Sequence, residues 1–162
     1  MKLLKKVLIL SLLSGSSLFV HAANVTSSMQ TTASIQAMCK LTMENIDFGD
    51  MSPINILNKG MIQELFVKCT KDTTYSIGIS NGNGTISQRY MGSVEGGNTD
   101  TLPYNIYTDA TRSTVVGNGS EGSLISGKGT GEDVGHQFYA YSLGTYIRAG
   151  NYSDSLVMTI TY

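Results

Sequence analysis

Between Asn24 and Met43 the chain alternates. Val25, Ser27, Met29, Thr31, Ala33, Ile35, Ala37, Cys39, Leu41 and Met43 fall on one side. Thr26, Ser28, Gln30, Thr32, Ser34, Gln36, Met38 and Lys40, nearly all polar, fall on the other. A two-residue repeat is the mark of a half-buried β-strand. Over the 19 residues from Val25 to Met43 such a strand would reach roughly 60 Å, whereas ordinary strands cover about 17–20 Å. A domain of about 125 residues is only ~35–40 Å across. One small domain cannot cover both ends of that strand.

Shorter runs of the same period follow, set apart by turn residues. "NIDFGDMSPINILNKG" turns the chain, with Gly49, Pro53 and Gly60 as punctuation, and "MIQELFVKCT" is a strand. "TTYSIGIS" puts Tyr75, Ile77 and Ile79 on one face. "NGNG" (Asn81 to Gly84) predicts a hairpin, with "TISQRYM" returning from it. "TLPYNIYTD" groups Leu102, Tyr104 and Ile106. The stretch from Val116 to Gly135, rich in glycine, reads as a long surface connection with room for one short strand. "GHQFYAYSLGTY" and "DSLVMTITY" finish the chain as strands. This amounts to roughly seven short strands in an all-β domain, a sandwich or a barrel. The closing alternation of Leu156, Met158, Ile160 and Tyr162 brings an outer-membrane barrel into consideration. Against it, the middle strands fall short of the roughly 9–11 residues a membrane barrel needs.

The first 22 residues change the picture of where the chain works. Lys2, Lys5 and Lys6, the apolar "VLILSLL", and Val20 and Ala22 at the −3 and −1 positions make a secretory signal peptide over residues 1–22. The rival reading, a single membrane anchor, fails on length, because the run is too short for about 30 Å of hydrocarbon. Three of the eleven Lys and Arg residues lie in this leader, so the exported chain carries eight against twelve Asp and Glu, a net charge near −4. That balance argues against a nucleic-acid partner. Cys39 and Cys69 are the only two cysteines. In an oxidising compartment they are expected to pair, because Cys39 shares a side with Ile35, Ala37 and Leu41, and Cys69 with Leu65 and Val67. Closing the intervening loop stabilises by roughly 3–4 kcal/mol in the chain-entropy picture.

Signals for catalysis are sparse. His136 is the only histidine after the leader and has no nucleophile motif beside it. "GSLISGKG" imitates the start of a phosphate loop, but Gly129 stands where Ser or Thr should hold magnesium. The methionines scatter without a cluster and suit core filling better than metal binding. No cofactor or metal site is expected, and the protein reads as a non-enzyme.

An ordered set of landmarks remains: Cys39, "IDFGDMSP", "VKCTKDTTYSIGIS" with Thr70 after the second cysteine, "RYMG", "LPYNIYTDATRS", "VVGNG" and "AGNYSDSLVMTITY". As a set it resembles the spore coat protein U domain family, shared with the subunits of archaic chaperone–usher pili. Two departures are local: Val116 where many relatives carry Trp, and Tyr141-Ser142 where Tyr-Gly is usual. The resemblance implies an incomplete immunoglobulin-like β-sandwich over residues 34–162, completed by a donor strand and holding one disulfide. A periplasmic chaperone would fill the groove first. At the outer-membrane usher, the N-terminal extension of another copy or a related subunit would then replace it.

On that reading residues 23–33 are the donor-strand extension, with Val25, Ser27, Met29, Thr31 and Ala33 as its inserted side chains. Ser34 to Met43 form the domain's own first strand, and Leu156, Met158, Ile160 and Tyr162 line one groove edge. The function implied is a structural pilus subunit, exported through the periplasm to the cell surface for adhesion and biofilm formation. The alternatives are a secreted spore or cell coat protein and a tip adhesin of the same fold. For the extension itself the alternative is a disordered tail.

Overall fold

The computed structural model describes residues 23–52, 57–144 and 146–162. The leader assigned to residues 1–22 and the turn residue Pro53 lie outside them. The chain divides into Met1–Ser34 and a compact unit, Ile35–Tyr162. Within the first, residues 23–34 form no strand or helix, and every one of them is exposed. A strand exists by pairing its backbone with a neighbour, and alternation alone supplies none.

The compact unit is all-β among the described residues. Its strands are β1 (Cys39–Met43), β2 (Leu57–Cys69), β3 (Thr74–Ile79), β4 (Arg89–Ser93), β5 (Thr101–Tyr107), β6 (Ile125–Lys128), β7 (Asp133–Leu143), β8 (Tyr152–Ser153) and β9 (Met158–Thr161). Six of them form one sheet in the order β1-β2-β7-β5-β4-β8, and three form a second, β6-β3-β9. All of the strand pairs are antiparallel. Both sheets are open, so the arrangement is an immunoglobulin-like sandwich and the barrel alternative falls away.

Alternation places the core. In β2, Leu65, Val67 and Cys69 are buried while Ile62, Glu64, Phe66 and Lys68 are exposed. Phe138 and Ala140 of β7 and Tyr104 and Ile106 of β5 join them from the large sheet. Tyr75, Ile77 and Ile79 of β3 and Ile125 of β6 answer from the small one. Full burial of a Leu, Ile or Phe is worth about 1.5–3 kcal/mol, and the cluster unites both sheets. The expected disulfide is present: Cys39 and Cys69 sit opposite each other in the β1–β2 register and are bonded.

Four expectations are corrected. Strand β1 starts at Cys39, not Ser34, because only from there does the chain run beside β2. Gly60 is not punctuation but part of β2, paired with Tyr141, whose ring occupies the space where a side chain on Gly60 would go. Val116 is not on a surface connection; it is fully buried, and its N–H donates to Ile106 O at 2.9 Å. Asn81 to Gly84 does form a tight turn, with Asn81 Nδ2 donating to Gly84 O at 2.6 Å and Gly82 at φ +57°. It does not make a hairpin, however. β3 pairs with β6 and β9, whereas β4 pairs with β5 and β8, so the chain changes sheets here.

Arg89 explains that change of sheet. It is fully buried, and its guanidinium donates to Ser80 O (2.8 Å), Ile79 O (3.0 Å), Val116 O (3.0 Å) and Asn105 Oδ1 (2.7 Å). One side chain thereby ties the end of β3 to β5 and to the connection after it. Burial works against its charge, while Tyr104 and Asp154 nearby favour it. Asp154 accepts from Tyr104 Oη at 2.7 Å and from the Asn83 N–H at 3.0 Å, anchoring the turn to the segment before β9. Replacing Arg89 by Met keeps bulk but leaves four acceptors without their donor. Urea denaturation of the disulfide-bonded subunit should show Arg89→Met less stable by about 3–5 kcal/mol; a loss under about 1 kcal/mol would contradict the anchoring role.

Candidate functional site

The sandwich has four sheet edges, and two of them are managed. β8 is two residues long, and the Glu95 carboxylate beside it accepts from the backbone and side chain of Asn151. β6 is four residues long, and its Lys128 pairs with Asp72 at 2.8 Å. Short length and charge are usual ways of blunting an edge. β9 is as short as β6, at four residues, but lacks the charge. Its sequence, Met-Thr-Ile-Thr, carries no charge and no proline, and its register with β3 runs without a bulge.

The side chains along this edge are only half covered. Leu156, Met158 and Ile160 are intermediate in exposure and pack against the core cluster, while Val157, Thr159 and Thr161 between them are exposed. Tyr162, expected to continue the row, is 57% exposed and does not belong to the packed set. The free edge of β1 presents a second such row: Cys39 and Leu41, then Ile46 and Met51 in the following segment, all half-buried against the same core. Thus one core lies beneath two apolar rows, which run along β1 and β9 and their adjoining segments, and neither strand has a neighbour on its outer side among the described residues.

Sequence reasoning missed the part of this surface beyond β1. Ile46, Phe48 and Met51 stand in a stretch read as a turn, yet Phe48 is buried and meets Tyr104 edge-on with ring centres 6.1 Å apart. Together with Met91 and Leu102 they are the apolar part of the lining of a cleft of about 540 Å³, to which Arg148 and Tyr152 also contribute. The available signal was the i, i+2 spacing of Ile46 and Phe48, which repeats the strand period but one residue out of phase with the row ending at Met43.

The expected donor residues are not engaged. Val25 is 94% exposed and Met29 90% exposed, and Ser27, Thr31 and Ala33 are exposed with them. The disulfide residues are brought together; the extension residues form no strand.

Conventional chemistry is thin here. His136 lies on β7, half-buried, with Nε2 at 2.6 Å from Tyr75 Oη of the facing sheet and the two rings edge-on. Burial lowers the His136 pKa and raises that of Tyr75. The pair reads as a cross-sheet tie. The carboxylates with lowered pKa are loop anchors: Glu95 held by Asn151 and Ser93, and Asp109 by Thr111, Ser113 and Thr114. Among the described residues no three His, Cys, Asp or Glu side chains gather as a metal site.

What the geometry defines is a disulfide-stapled β-sandwich with two open, apolar-backed strand edges. The sequence profile of the Spore Coat Protein U domain matches residues 25–159, and the chain belongs to that family. A curated relative, Protein U of Myxococcus xanthus, is 28% identical over 160 residues, covering 88% of this chain and 87% of that protein. The fold is similar to that of a chain in the crystal structure of the CsuC–CsuE chaperone–tip adhesion subunit pre-assembly complex from the archaic chaperone–usher Csu pili of Acinetobacter baumannii. The TM-score is 0.58 at 19% identity, over 79% of this chain and 40% of that one.

The lowered His136 pKa has a testable sign. The unfolded chain takes up this proton near the ordinary histidine value of about 6.5, whereas the folded chain takes it up only at lower pH. The stabilising contribution is therefore complete above about pH 6.5 and is lost as the pH falls below it. Urea midpoints of the wild-type subunit should fall between pH 7.5 and 5.5, and those of His136→Gln should fall less. Equal slopes would contradict the assignment.

Proposed function

We propose that the protein is a structural subunit of a surface fibre, polymerising by donor-strand exchange. The extension over residues 23–33 of one copy lies along the free edge of β9 in the next and pairs its backbone there. Val25, Ser27, Met29, Thr31 and Ala33 then rest against the half-buried rows of β1 and β9. One observation carries this reading: β9 is an uncharged, proline-free edge over a half-covered core, while an alternating segment of the same chain is exposed and forms no strand. Family membership and the likeness to a chain of a chaperone–subunit complex support it.

The energetics are adequate. Burying the alternate side chains of one extension removes roughly 300–400 Å² of apolar surface, worth roughly 8–10 kcal/mol before ordering costs. The contact is head-to-tail and does not close on itself, so repetition makes a filament. Before assembly the same edge needs a temporary cover. A periplasmic chaperone supplying a strand fits that need, with an outer-membrane usher as the place of exchange. Adhesion and biofilm formation are the uses proposed for the finished fibre. A second reading, a cell or spore coat assembled from the same subunits, draws on the family's description as a Spore Coat Protein U domain.

Deleting Asn24 to Ala33 should leave a disulfide-linked, chaperone-bound subunit that forms no detergent-resistant polymer on gels, where the full chain does. Polymers from the deleted chain would sink the donor assignment. Ile160→Asp places a charge in the half-buried row of β9, which is costly without a partner. Co-purification with the chaperone should drop at least tenfold, and undiminished recovery would remove β9 from the chaperone-binding edge.

A further inference from the structure

The Cys-Thr pair at residues 69–70 appears in the sequence as a landmark, and the disulfide accounts only for its first member. Thr70 is half-buried and faces the segment just before β1. Its Oγ1 accepts from the Met38 N–H at 3.1 Å, and its own N–H donates to Met38 O at 2.9 Å. The hydroxyl hydrogen is left to point at the carbonyls of Gln36 and Met38, each 3.4 Å away, distances at the weak end for a hydroxyl donor. One threonine thus carries the pairing of β1 with β2 past the Cys39–Cys69 position, through both backbone and side chain.

The mount beneath it is rigid. Thr73 N–H donates to Thr70 O at 3.1 Å, closing the turn between β2 and β3. The Asp72 N–H donates to Gly129 O (2.8 Å), and the Gly129 N–H donates to Thr73 O (2.7 Å). The neighbouring residue, Cys69, is bonded to Cys39. Thr70 therefore holds residues 36–38 against a turn locked to three strands rather than against a mobile loop.

We propose that Thr70 is a positioning residue for assembly: by pinning Gln36 to Met38 it fixes where the extension leaves the domain, and so how one copy of this chain is set against the next. The inference rests on the donor-strand reading above. Between Ala33, the last inserted side chain, and the pinned segment only Ser34 and Ile35 remain free. Two residues span at most about 7 Å, whereas loss of the Thr70 hydroxyl, with Met38 O still held by the Thr70 N–H, frees the four residues from Ser34 to Ala37, which reach about 14 Å. With the pin, neighbouring subunits have a short, defined joint. Without it they have a loose one, although the donor strand and its acceptor edge are unchanged.

The test uses the full chain with Thr70→Val, which keeps shape, Thr70→Ala, and Thr70→Ser, which keeps the hydroxyl. In the subunit, amide exchange at Met38 should quicken about five- to tenfold in the Val and Ala variants, the loss of one hydrogen bond, and stay unchanged in the Ser variant. In fibres seen by electron microscopy, the Val and Ala variants should show a longer or more variable subunit spacing and a wider spread of bending angles, with wild-type geometry restored by Ser. A merely structural role would move the urea midpoint and leave the fibre geometry alone. Unchanged spacing and bending in both Val and Ala fibres would overturn the pin, as would failure of Ser to restore the geometry. Absence of fibres from the wild-type chain would instead strike the donor-strand reading itself.

Discussion

The structure turns on an unpaired strand edge above a core that is only partly covered. Six strands spaced about 4.8 Å apart span roughly 24 Å, and three span roughly 10 Å, so the β6-β3-β9 sheet cannot roof the β1-β2-β7-β5-β4-β8 sheet unaided. Some cover comes from the connections that carry Ile86 and Val116, which are hydrogen-bonded to β5. Among the described residues no strand lies beyond the free side of β1 or of β9. That is where the half-buried rows occur: Cys39, Leu41, Ile46 and Met51 on one side, Leu156, Met158 and Ile160 on the other. Apolar surface and unsatisfied backbone groups coincide there, and a strand from elsewhere answers both at once.

The rest of the molecule holds those edges in place. β1 has one neighbour and five residues, so on its own it would fray. The Cys39–Cys69 bond fixes its first residue, and Thr70 extends the hold to Met38. β9 is likewise short, and its approach is set by Asp154, bound to Tyr104 and to the 81–84 turn, and by Ser80, whose hydroxyl accepts from the Val157 N–H at 2.9 Å. Arg89 closes this arrangement from inside by collecting carbonyls at the end of β3. A rigid acceptor edge loses less entropy when a strand is added, which is how preorganisation raises affinity.

The legible part of the fold was the part governed by local period. Leu65, Val67 and Cys69, Tyr75, Ile77 and Ile79, and Leu102, Tyr104 and Ile106 fall on inward faces because a strand sends every second side chain one way. The disulfide was legible for the same reason. What escaped depends on partners far away in the chain. Gly60 reads as a turn residue until Tyr141, eighty-one positions on, is seen lying over it. The Asn-Gly turn suggests a hairpin because nothing local reveals that Arg89, charged and within an apparent return strand, is buried and draws the chain into the other sheet. Val116 sits among small polar residues and is core only because β5 is beside it. Of the candidate site, the alternation near both chain ends was visible; the cleft residues Ile46, Phe48 and Met51 were hidden inside a turn-like composition.

The length of the opening alternation also bears on whether the extension completes its own domain or a neighbour's. To lie beside its own β9, the segment ending at Ala33 would have to reverse direction before β1, with Ser34 to Met38 as the hairpin. Those residues, Ser-Ile-Gln-Ala-Met, include no Gly, Pro, Asn or Asp, the types that make tight reversals cheap. Moreover, Gln36 and Met38 already meet Thr70 as a straight continuation of β1. Self-completion would cost those hydrogen bonds and a strained turn. The alternating pattern thus runs on through the point where Thr70 holds Met38, and β1 begins at the next residue.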